Sequence, residues 1–311
     1  MYRPMNAFRY DTSGQWYKGN THLHSTASDG GMGFAELAKL YHSAGYDFLF
    51  RTDHWVASDV AGDGEKYPLL WLDGVELDGR DRTGALSHVV CLGRVTGLRR
   101  EDGLEAGIQS ARRQGAIVIL AHPHWCDNAL DDCVRLQLDG VEVYNHVCRW
   151  LNGKGDGLVY WTAALKANPA ILAFAADDGH LRQEHPGWNG GWVMVNAKEC
   201  TAPAITDAIR RGNTYSTCGP ELRSIRFDGA ELYLETSPVR FVRIAGPGWQ
   251  GNRTGSFDGR LITDVSMPIP RDWRYVYVEV EDQDGRRAWT NHLFVVNSSN
   301  RPVAGDGDNA G

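Results

Sequence analysis

Runs of β-branched and aromatic residues recur along the first two thirds of the chain, and stretches with helical spacing lie between several of them. The strand-like runs lie near residues 17–24, 46–53, 69–76, 87–92, 116–122, 140–144 and 171–177. Helical patterns occupy residues 34–45, 104–115, 158–166 and 205–211. Alternation of strand and helix predicts a parallel sheet, and the continuous apolar run 116–121 predicts a strand buried on both faces.

The pattern changes near Gly219 and Pro220, after which short alternating strands follow one another without a good helix. Residues 275–280 alternate, residues 282–285 form a turn signal and residues 287–296 run back, which predicts a hairpin. Two further strands are predicted near 231–235 and 239–244. We therefore predict an α/β unit over residues 1–220, a small β-sandwich over 221–299 packed against it, and a disordered tail over 300–311.

The most informative polar residues follow the first strand-like run. His22 and His24 are two positions apart, and Asp29 follows five residues later. In an extended chain residues i and i+2 point to the same face, so both imidazoles can converge on one ion while Leu23 faces the packing behind them. This spacing is typical of a metal site, although two polar strand histidines with surface partners would show it as well.

Further polar clusters end the other strand-like runs, at residues 52–54, 74–76, 87–88, 121–124, 141–145 and 177–180. Barrel enzymes build their active sites at the C-terminal ends of their strands, so this placement predicts a barrel. With seven strands rather than eight, it would be a distorted (β/α)7 TIM-like barrel. The pattern alone leaves an open doubly wound sheet as an alternative.

Composition narrows the classes of function. The chain has 311 residues and a formal net charge of -7, with no basic stripe, which argues against nucleic acid or an anionic membrane as a partner. The six cysteines show no CxxC pair and are predicted to be reduced. The N-terminus lacks an apolar signal core, and we expect a cytoplasmic protein. An anionic substrate would need local attraction, which bound divalent cations supply.

Four of these clusters, in order, resemble the motifs of the polymerase and histidinol phosphatase (PHP) superfamily. They are His22-Leu23-His24 with Ser28-Asp29-Gly30, then Thr52-Asp53-His54, then Ala121-His122-Pro123, and finally Asp178-Gly179-His180. Glu76 and His88 occupy the places of the family's bridging glutamate and additional histidine. The resemblance implies a seven-stranded distorted barrel with a trinuclear metal cleft, holding two to three ions of zinc, manganese or iron, and hydrolysis of phosphoesters.

Carried over by position, the resemblance implies three metal sites. His22, His24, Glu76 and Asp178 would hold one ion. Glu76, His88 and His122 would hold a second, and Asp29, His54 and His180 a third. Glu76, Asp178 and His180 are the residues to which we assign catalytic roles. Histidine and carboxylate ligands suit zinc, manganese or iron(II), and the lack of cysteine at these positions disfavours a structural thiolate zinc site.

Softer similarities extend the resemblance over nearly the whole chain. Residues 141–145, 210–216 and 285–291 look like the carbaryl-hydrolase-type branch of the superfamily, which joins the barrel to a C-terminal β domain. That branch includes carbamate ester cleavage as well as members assumed to be phosphoesterases. The branch resemblance therefore leaves the substrate open.

Other polar residues near the motifs are candidates for substrate contact or for orienting the ligands. Asp53 is predicted to position His54, Asp177 to orient a ligand or shuttle a proton, and His124 to lie on the same strand face as His122. Solvated loop charges and packed neighbours are the alternative interpretations. The remaining candidates are Asn145, Arg149, Lys154 and His185, with Trp188 and Trp192 as possible pocket walls.

The sequence therefore predicts a metal-dependent phosphoesterase that cleaves a small anionic phosphate mono- or diester by attack of a metal-bound hydroxide. A carboxylic ester, carbamate or amide hydrolase with the same metal site is the alternative. A metal-binding module without turnover is a third hypothesis, which the complete set of ligands disfavours. The substrate, the native metal and the oligomeric state are not predicted.

Overall fold

The computed structural model describes residues 7–270 and 272–295. Its helices are α1 (Phe34–Ser43), α2 (Leu104–Arg113), α3 (Asp132–Arg135), α4 (His146–Asn152), α5 (Leu158–Ala167) and α6 (Ala202–Arg211). The first nine strands are β1 (Gln15–Asn20), β2 (Phe48–Arg51), β3 (Leu70–Arg80), β4 (Leu86–Leu92), β5 (Ile117–Leu120), β6 (Gly140–Asn145), β7 (Leu172–Ala176), β8 (Trp192–Ala197) and β9 (Thr214–Thr217). The later strands are β10 (Leu222–Phe227), β11 (Glu231–Val239), β12 (Phe241–Ala245), β13 (Gly251–Gly255), β14 (Ile262–Pro268), β15 (Tyr277–Glu281) and β16 (Arg287–Thr290).

Strands β1 to β7 lie side by side in chain order. An isolated parallel bridge between Leu23 and Gly179 joins the segments that follow β1 and β7, so the two ends of this series meet. The mixed α/β fold is confirmed, and within β1 to β7 four of the six strand pairs are parallel. The expectation that the strands all run parallel is wrong, because β4 runs antiparallel to both β3 and β5. The short turn at residues 81–85 allows this reversal, since a parallel connection would need a crossover of a dozen residues or more.

The sheet continues beyond β1 into the C-terminal third of the chain. Strand β8 pairs antiparallel with β1, and the order then runs β9, β16, β15, β12, β13. A separate sheet has the order β10-β11-β14. Side chains of both sheets share one buried apolar cluster, which includes Leu222, Leu234, Val242 and Val278. The antiparallel β region is therefore present, and backbone pairing between β9 and β16 joins it to the α/β part.

The predicted division into units at residues 220 and 299 stays a prediction, and the tail predicted over 300–311 lies outside the described residues.

The described cysteines are all free, as expected. Within residues 7–270 and 272–295, none of the helices has the length and apolar character needed to cross a membrane.

The core follows directly from the apolar pattern. Every residue of β5 and of β7 is buried, as expected for strands covered on both faces. On α2, Leu104, Ile108 and Ala111 are buried at helical spacing and pack against the β3–β5 side of the sheet. Trp161 of α5 is fully buried and donates its indole N–H to the Ile171 carbonyl at 3.0 Å. This packing fixes the strands whose C-terminal ends carry the polar clusters.

Candidate metal centre

The predicted ligands meet at the ends of β1, β2, β5 and β7 and on the adjacent strands β3 and β4. Backbone hydrogen bonds from the His24 N–H to the Gly179 carbonyl (2.9 Å) and from the Asp178 N–H to the His22 carbonyl (2.9 Å) clamp the first and fourth motifs together. His122 and Asp178 both adopt positive φ, at 27° and 56°. Such conformations cost energy for residues other than glycine and concentrate at functional sites.

The innermost ligand set is completely buried. His22 Nε2 lies 3.1 Å from Glu76 Oε2 and 3.2 Å from Asp178 Oδ1. His24 Nε2 lies 3.2 Å from the same glutamate oxygen and 3.1 Å from the same aspartate oxygen. Candidate ligand atoms of His22, His24, Glu76 and Asp178 all fall within 4.8 Å of one another. We call these four residues the floor of the centre.

Glu76 connects the floor to the histidines of β4 and of the β5 end. Its Oε1 lies 2.9 Å from His88 Nδ1 and 3.3 Å from His122 Nε2. The second compact group of potential ligand atoms comprises His54, Glu76 and His88. The resemblance implies His122 in this group, and the structure brings His122 Nε2 and His54 Nδ1 equally close to the Glu76 carboxylate, at 3.3 Å each.

The outermost group comprises His24, Asp29, His54 and His180. His180 Nε2 lies 3.2 Å from Asp29 Oδ2, while its Nδ1 is 2.8 Å from the Asp178 carbonyl oxygen. A proton on Nδ1 donated to that carbonyl leaves Nε2 free to face Asp29. Asp29, His54 and His180 have side chains 40%, 19% and 12% exposed, and we call these three residues the rim of the centre.

Buried opposite charges perturb the whole floor. Burial acts to lower the pKa of His24, but the Asp178 and Glu76 carboxylates outweigh it and raise that pKa to about 9. Burial would raise the pKa of Glu76, yet His22, His88 and His122 hold it well below its usual range. The pKa of Asp178 is lowered in the same way by His22 and His24. In the metal-free chain, protons on the histidines therefore compensate the buried carboxylates.

Glu142 is a member of the site that the predicted set omits. It is buried, and its Oε1 lies 2.7 Å from His22 Nδ1. Its Oε2 accepts the His122 backbone N–H at 2.8 Å and the Asn145 amide at 2.9 Å. A carboxylate on Nδ1 directs the Nε2 lone pair of His22 towards the floor, which is how histidine ligands are oriented in metal sites. The signal in the sequence is a glutamate within the apolar strand β6.

Two predicted orienting residues hold loops rather than ligands. The Asp53 carboxylate accepts hydrogen bonds from the backbone and hydroxyl groups of Ser25 and Ser28, which shapes the turn before Asp29. The Asp177 carboxylate accepts from Asn20, from Tyr41 and from the backbone N–H groups of residues 189–191. Asp177 therefore anchors the loop before β8, and its oxygens are already engaged.

Of the remaining candidates, some contact the floor or line the cavity and others do not. Asn145 donates to Asp178 Oδ2 at 3.3 Å and accepts the Cys148 N–H, so it links α4 to the floor. The chain turns at His122, so the strand alternation that would align His124 with it is broken. His124 instead packs near Tyr160, with ring centroids 6.5 Å apart. Arg149 and Lys154 do not line the cavity at the centre, whereas His185 does.

A cavity of about 210 Å³ opens over the floor and the rim. Apolar side chains from the loop after β5 and from α4 form part of its wall, and the loop after β7 adds Arg182 and His185. Trp125 lies edge-on to His88 and His122, with centroids 5.9 and 5.4 Å away. Trp188 and Trp192 pack instead in the cluster around Tyr41. The lining residues outside the predicted ligands are Trp125, Val147, Cys148, Leu151, Arg182 and His185.

The residues present fit divalent metal ions. Three carboxylates and several imidazoles converge, which is the donor chemistry of zinc, manganese or iron(II) sites. His24 Nδ1 is buried without a hydrogen-bond partner and lies 3.5 Å from Asp29 Oδ1. An unpartnered buried nitrogen is costly unless it has a ligand. An ion held between His24 and Asp29 would satisfy it.

Comparison with known proteins supports the fold. No protein-family profile matches the chain, and no curated protein matches it. The fold is similar to that of a two-domain protein from Bacteroides vulgatus containing a predicted PHP-like metal-dependent phosphoesterase. That match has a TM-score of 0.50 and 15% identity, and covers 94% of this chain and 100% of the other. The PHP-like fold that the motifs imply is confirmed.

A second solved structure, from Bifidobacterium adolescentis and provisionally described as a metal-dependent phosphoesterase, matches at 13% identity with a TM-score of 0.43. It covers 62% of this chain and 94% of the other. This likeness is too weak to carry an argument about function. The resemblance to the carbaryl-hydrolase branch stays a prediction.

Proposed function

We propose that this chain is a metal-dependent hydrolase of small phosphate esters. The observation that carries the proposal is the convergence of His22, His24, Glu76 and Asp178 within 4.8 Å at the bottom of a 210 Å³ cavity. Pockets for drug-sized ligands typically measure about 300–1,000 Å³, so this cavity suits a small substrate or the reacting end of a larger one.

Two to three divalent ions would be held by the floor and the rim together with His88 and His122. When bound, such ions acidify water and offset the negative charge that develops at an attacked phosphorus centre. The chain itself orients the ligands and limits access of water. Glu142 fixes the ring of His22, the Asp178 carbonyl fixes the ring of His180, and Trp125 covers one side of His88 and His122.

A second candidate function has its own support. Trp125, Val147 and Leu151 make part of the cavity wall apolar, which suits a neutral aryl carboxylic ester or carbamate. The same activated water would then attack carbon. We rank this second, because the lining also includes an arginine without an anionic partner, which a neutral ester would leave unpaired.

Release of p-nitrophenol tests the two candidates directly. Protein with quantified metal content is assayed with p-nitrophenyl phosphate, bis-p-nitrophenyl phosphate and p-nitrophenyl acetate, before and after chelation. We expect phosphoester turnover that disappears with the metal and returns when it is restored. Turnover of the acetate alone would favour the carbonyl hydrolase, and turnover that survives complete metal removal would contradict both candidates.

A further inference from the structure

Arg182 is a cation in the cavity wall that pairs with no carboxylate among the described residues. Its Nε is buried without a hydrogen-bond partner, and its side chain forms no ion pair within residues 7–270 and 272–295. Several other arginines of this acidic chain are paired with carboxylates, as Arg51 is with Asp63 and Arg94 with Asp59. Burying an unpaired guanidinium nitrogen costs free energy, so the arrangement calls for a partner that the chain does not supply.

The neighbouring carboxylates are already engaged. Asp29 contacts His180 at 3.2 Å, Asp178 contacts His22 and His24, and Glu76 contacts His88. None of them pairs with Arg182, although all three line the same cavity. Among the described residues that line this cavity, Arg182 is the one arginine or lysine. An anion that enters the cavity therefore meets a single permanently charged donor outside the histidine cluster.

The segment that carries Arg182 is tied down on both sides. The His185 N–H donates to the Arg182 carbonyl at 3.0 Å, and the Gly31 N–H donates to the His180 carbonyl at 2.7 Å. The Trp150 indole donates to the Glu184 carbonyl at 3.3 Å. At Gly31 an added Cβ would lie 2.4 Å from the Leu181 carbonyl oxygen, so glycine is needed for this close approach. A guanidinium on an anchored turn is preorganised for binding.

The other side chains of the wall indicate what accompanies the anion. The loop after β5 contributes Trp125, and α4 contributes Val147 and Leu151. His185 lies beside Arg182 and also has a buried ring nitrogen, Nδ1, without a partner. The cavity thus combines an apolar wall with a guanidinium and an imidazole on the loop after β7 that each have an unpartnered buried nitrogen. A ligand with one anionic head and one small apolar or aromatic group matches both features.

We propose that Arg182 binds an anionic oxygen of the substrate, and that the substrate class is a small organophosphate ester with an apolar or aromatic leaving group. This inference rests on the proposed function and adds the substrate-binding residue to it. Arg182 lines the cavity, and a guanidinium can donate two parallel N–H groups, which fits two oxygens of one phosphoryl group. The apolar wall then receives the organic part of the ester.

Binding of phenylphosphonate tests the proposal without turnover, because its C–P bond does not hydrolyse under assay conditions. Calorimetric titration is performed on metal-loaded wild type, Arg182→Gln and Arg182→Lys, each with its metal content measured. Arg113→Gln is the matched control, since Arg113 is an exposed arginine on α2 outside the cavity lining. We expect Arg182→Gln to weaken binding about 10- to 100-fold, Arg182→Lys to weaken it less, and Arg113→Gln to leave it unchanged.

Equal phenylphosphonate affinity in wild type and Arg182→Gln at equal metal content would overturn the proposal, as would the absence of phenylphosphonate binding to the wild type. If Arg182→Gln loses metal or does not fold, Arg182→Lys decides: affinity equal to that of the wild type would overturn the proposal. Weakened phosphonate binding in a protein that hydrolyses no phosphoester would support the role of Arg182 and reject the proposed reaction. The two failures are therefore distinguishable.

Discussion

The floor and the rim of the candidate metal centre are built from the same residue types but differ in how they are supported. His22 and His24 are fully buried, and Glu76 and Asp178 are almost so. Rim side chains remain 12–40% exposed, and Asp29 follows a loop rather than a strand. In the floor, the buried Glu142 contacts Nδ1 of His22. In the rim, the partly exposed Asp78 lies 2.9 Å from Nδ1 of His54.

This difference indicates that the floor and the rim bind metal with different strength. A buried ligand set whose rings are fixed by neighbours is preorganised, so it binds an ion tightly and exchanges it slowly. Partly exposed ligands are screened by water, and an ion there is bound more weakly and is accessible to substrate. We expect the floor to retain metal when the rim loses it, and the following predictions test that order.

Removal of the shared carboxylate should have the largest effect. Glu76→Ala takes away a carboxylate that contacts His22, His24, His88 and His122 and would be shared by more than one ion. We expect loss of metal from both floor and rim and a fall in kcat/KM of about 1,000-fold or more, roughly 4 kcal/mol of transition-state stabilisation. Elemental analysis and steady-state kinetics measure both.

Glu65→Ala provides the control for that change, because Glu65 is an exposed glutamate remote from the cavity lining. Unchanged metal content in Glu76→Ala would contradict a shared bridging role for this residue. Unfolding of the variant is detected independently by circular dichroism, and Glu76→Gln then provides a milder test with the same expected direction.

The floor could be predicted from sequence because its signal is local. The i, i+2 spacing of His22 and His24 and the position of Glu76 in an apolar run both follow from strand geometry. All the positions predicted to hold metal come together in the structure. Strands β1 to β7 also lie where the hydrophobic runs place them, since buried strands leave a continuous apolar pattern, whereas β8 and β9 were not predicted.

The residues that orient the ligands or line the cavity, and some of the elements around them, could not be predicted in the same way. Glu142 contacts a histidine 120 positions away in the sequence, so only the folded barrel makes the pair. Trp125 and Arg182 lie on loops, where no periodic pattern indicates which side chains face inward. Strand β4 was predicted, but its antiparallel direction was missed because its apolar run resembles that of a parallel strand. Helix α4 has seven residues, too few to establish a helical period.

Glu142→Gln should have the next largest effect. The carboxylate accepts a hydrogen bond from a protonated His22 Nδ1, but a glutamine amide at that position can donate to Nδ1 and so favours the tautomer with its proton on Nε2. That proton blocks the lone pair that faces Glu76 and Asp178. We expect metal affinity and kcat/KM to fall about 10- to 100-fold, as for other orienting carboxylates.

Competitive titration against a fluorescent chelator measures the affinity of Glu142→Gln. Glu142→Ala serves as a comparison, because it removes the carboxylate without adding a donor and should be less harmful to the His22 tautomer. Metal affinity equal to that of the wild type in both variants, with unchanged thermal unfolding, would show that the His22 ring is oriented without Glu142.

Metal binding should release protons from the floor. Because the pKa of His24 is raised to about 9 in the metal-free chain, this ring is protonated at neutral pH and must lose its proton when an ion binds. Apparent affinity should therefore weaken as pH falls below about 9, by about tenfold per pH unit for each proton displaced. Calorimetry in buffers of different ionisation enthalpy counts the protons, and a count of zero at pH 7 would contradict the raised pKa.

Asp78→Asn should have the smallest effect and completes the comparison, because it makes at the rim the same carboxylate-to-amide change that Glu142→Gln makes behind the floor. Asp78 lies 2.9 Å from His54 and 2.6 Å from Arg100, and its side chain is 20% exposed. Contacts of such partly exposed charges contribute about 0–1 kcal/mol, so we expect rim affinity to fall no more than about fivefold. The affinity of the floor for metal should not change. High salt should reduce the difference in rim metal affinity between Asp78→Asn and the wild type. If Asp78→Asn instead matches or exceeds Glu142→Gln, the distinction between a preorganised floor and a screened rim is wrong, and the ring of His54 is as critical as that of His22.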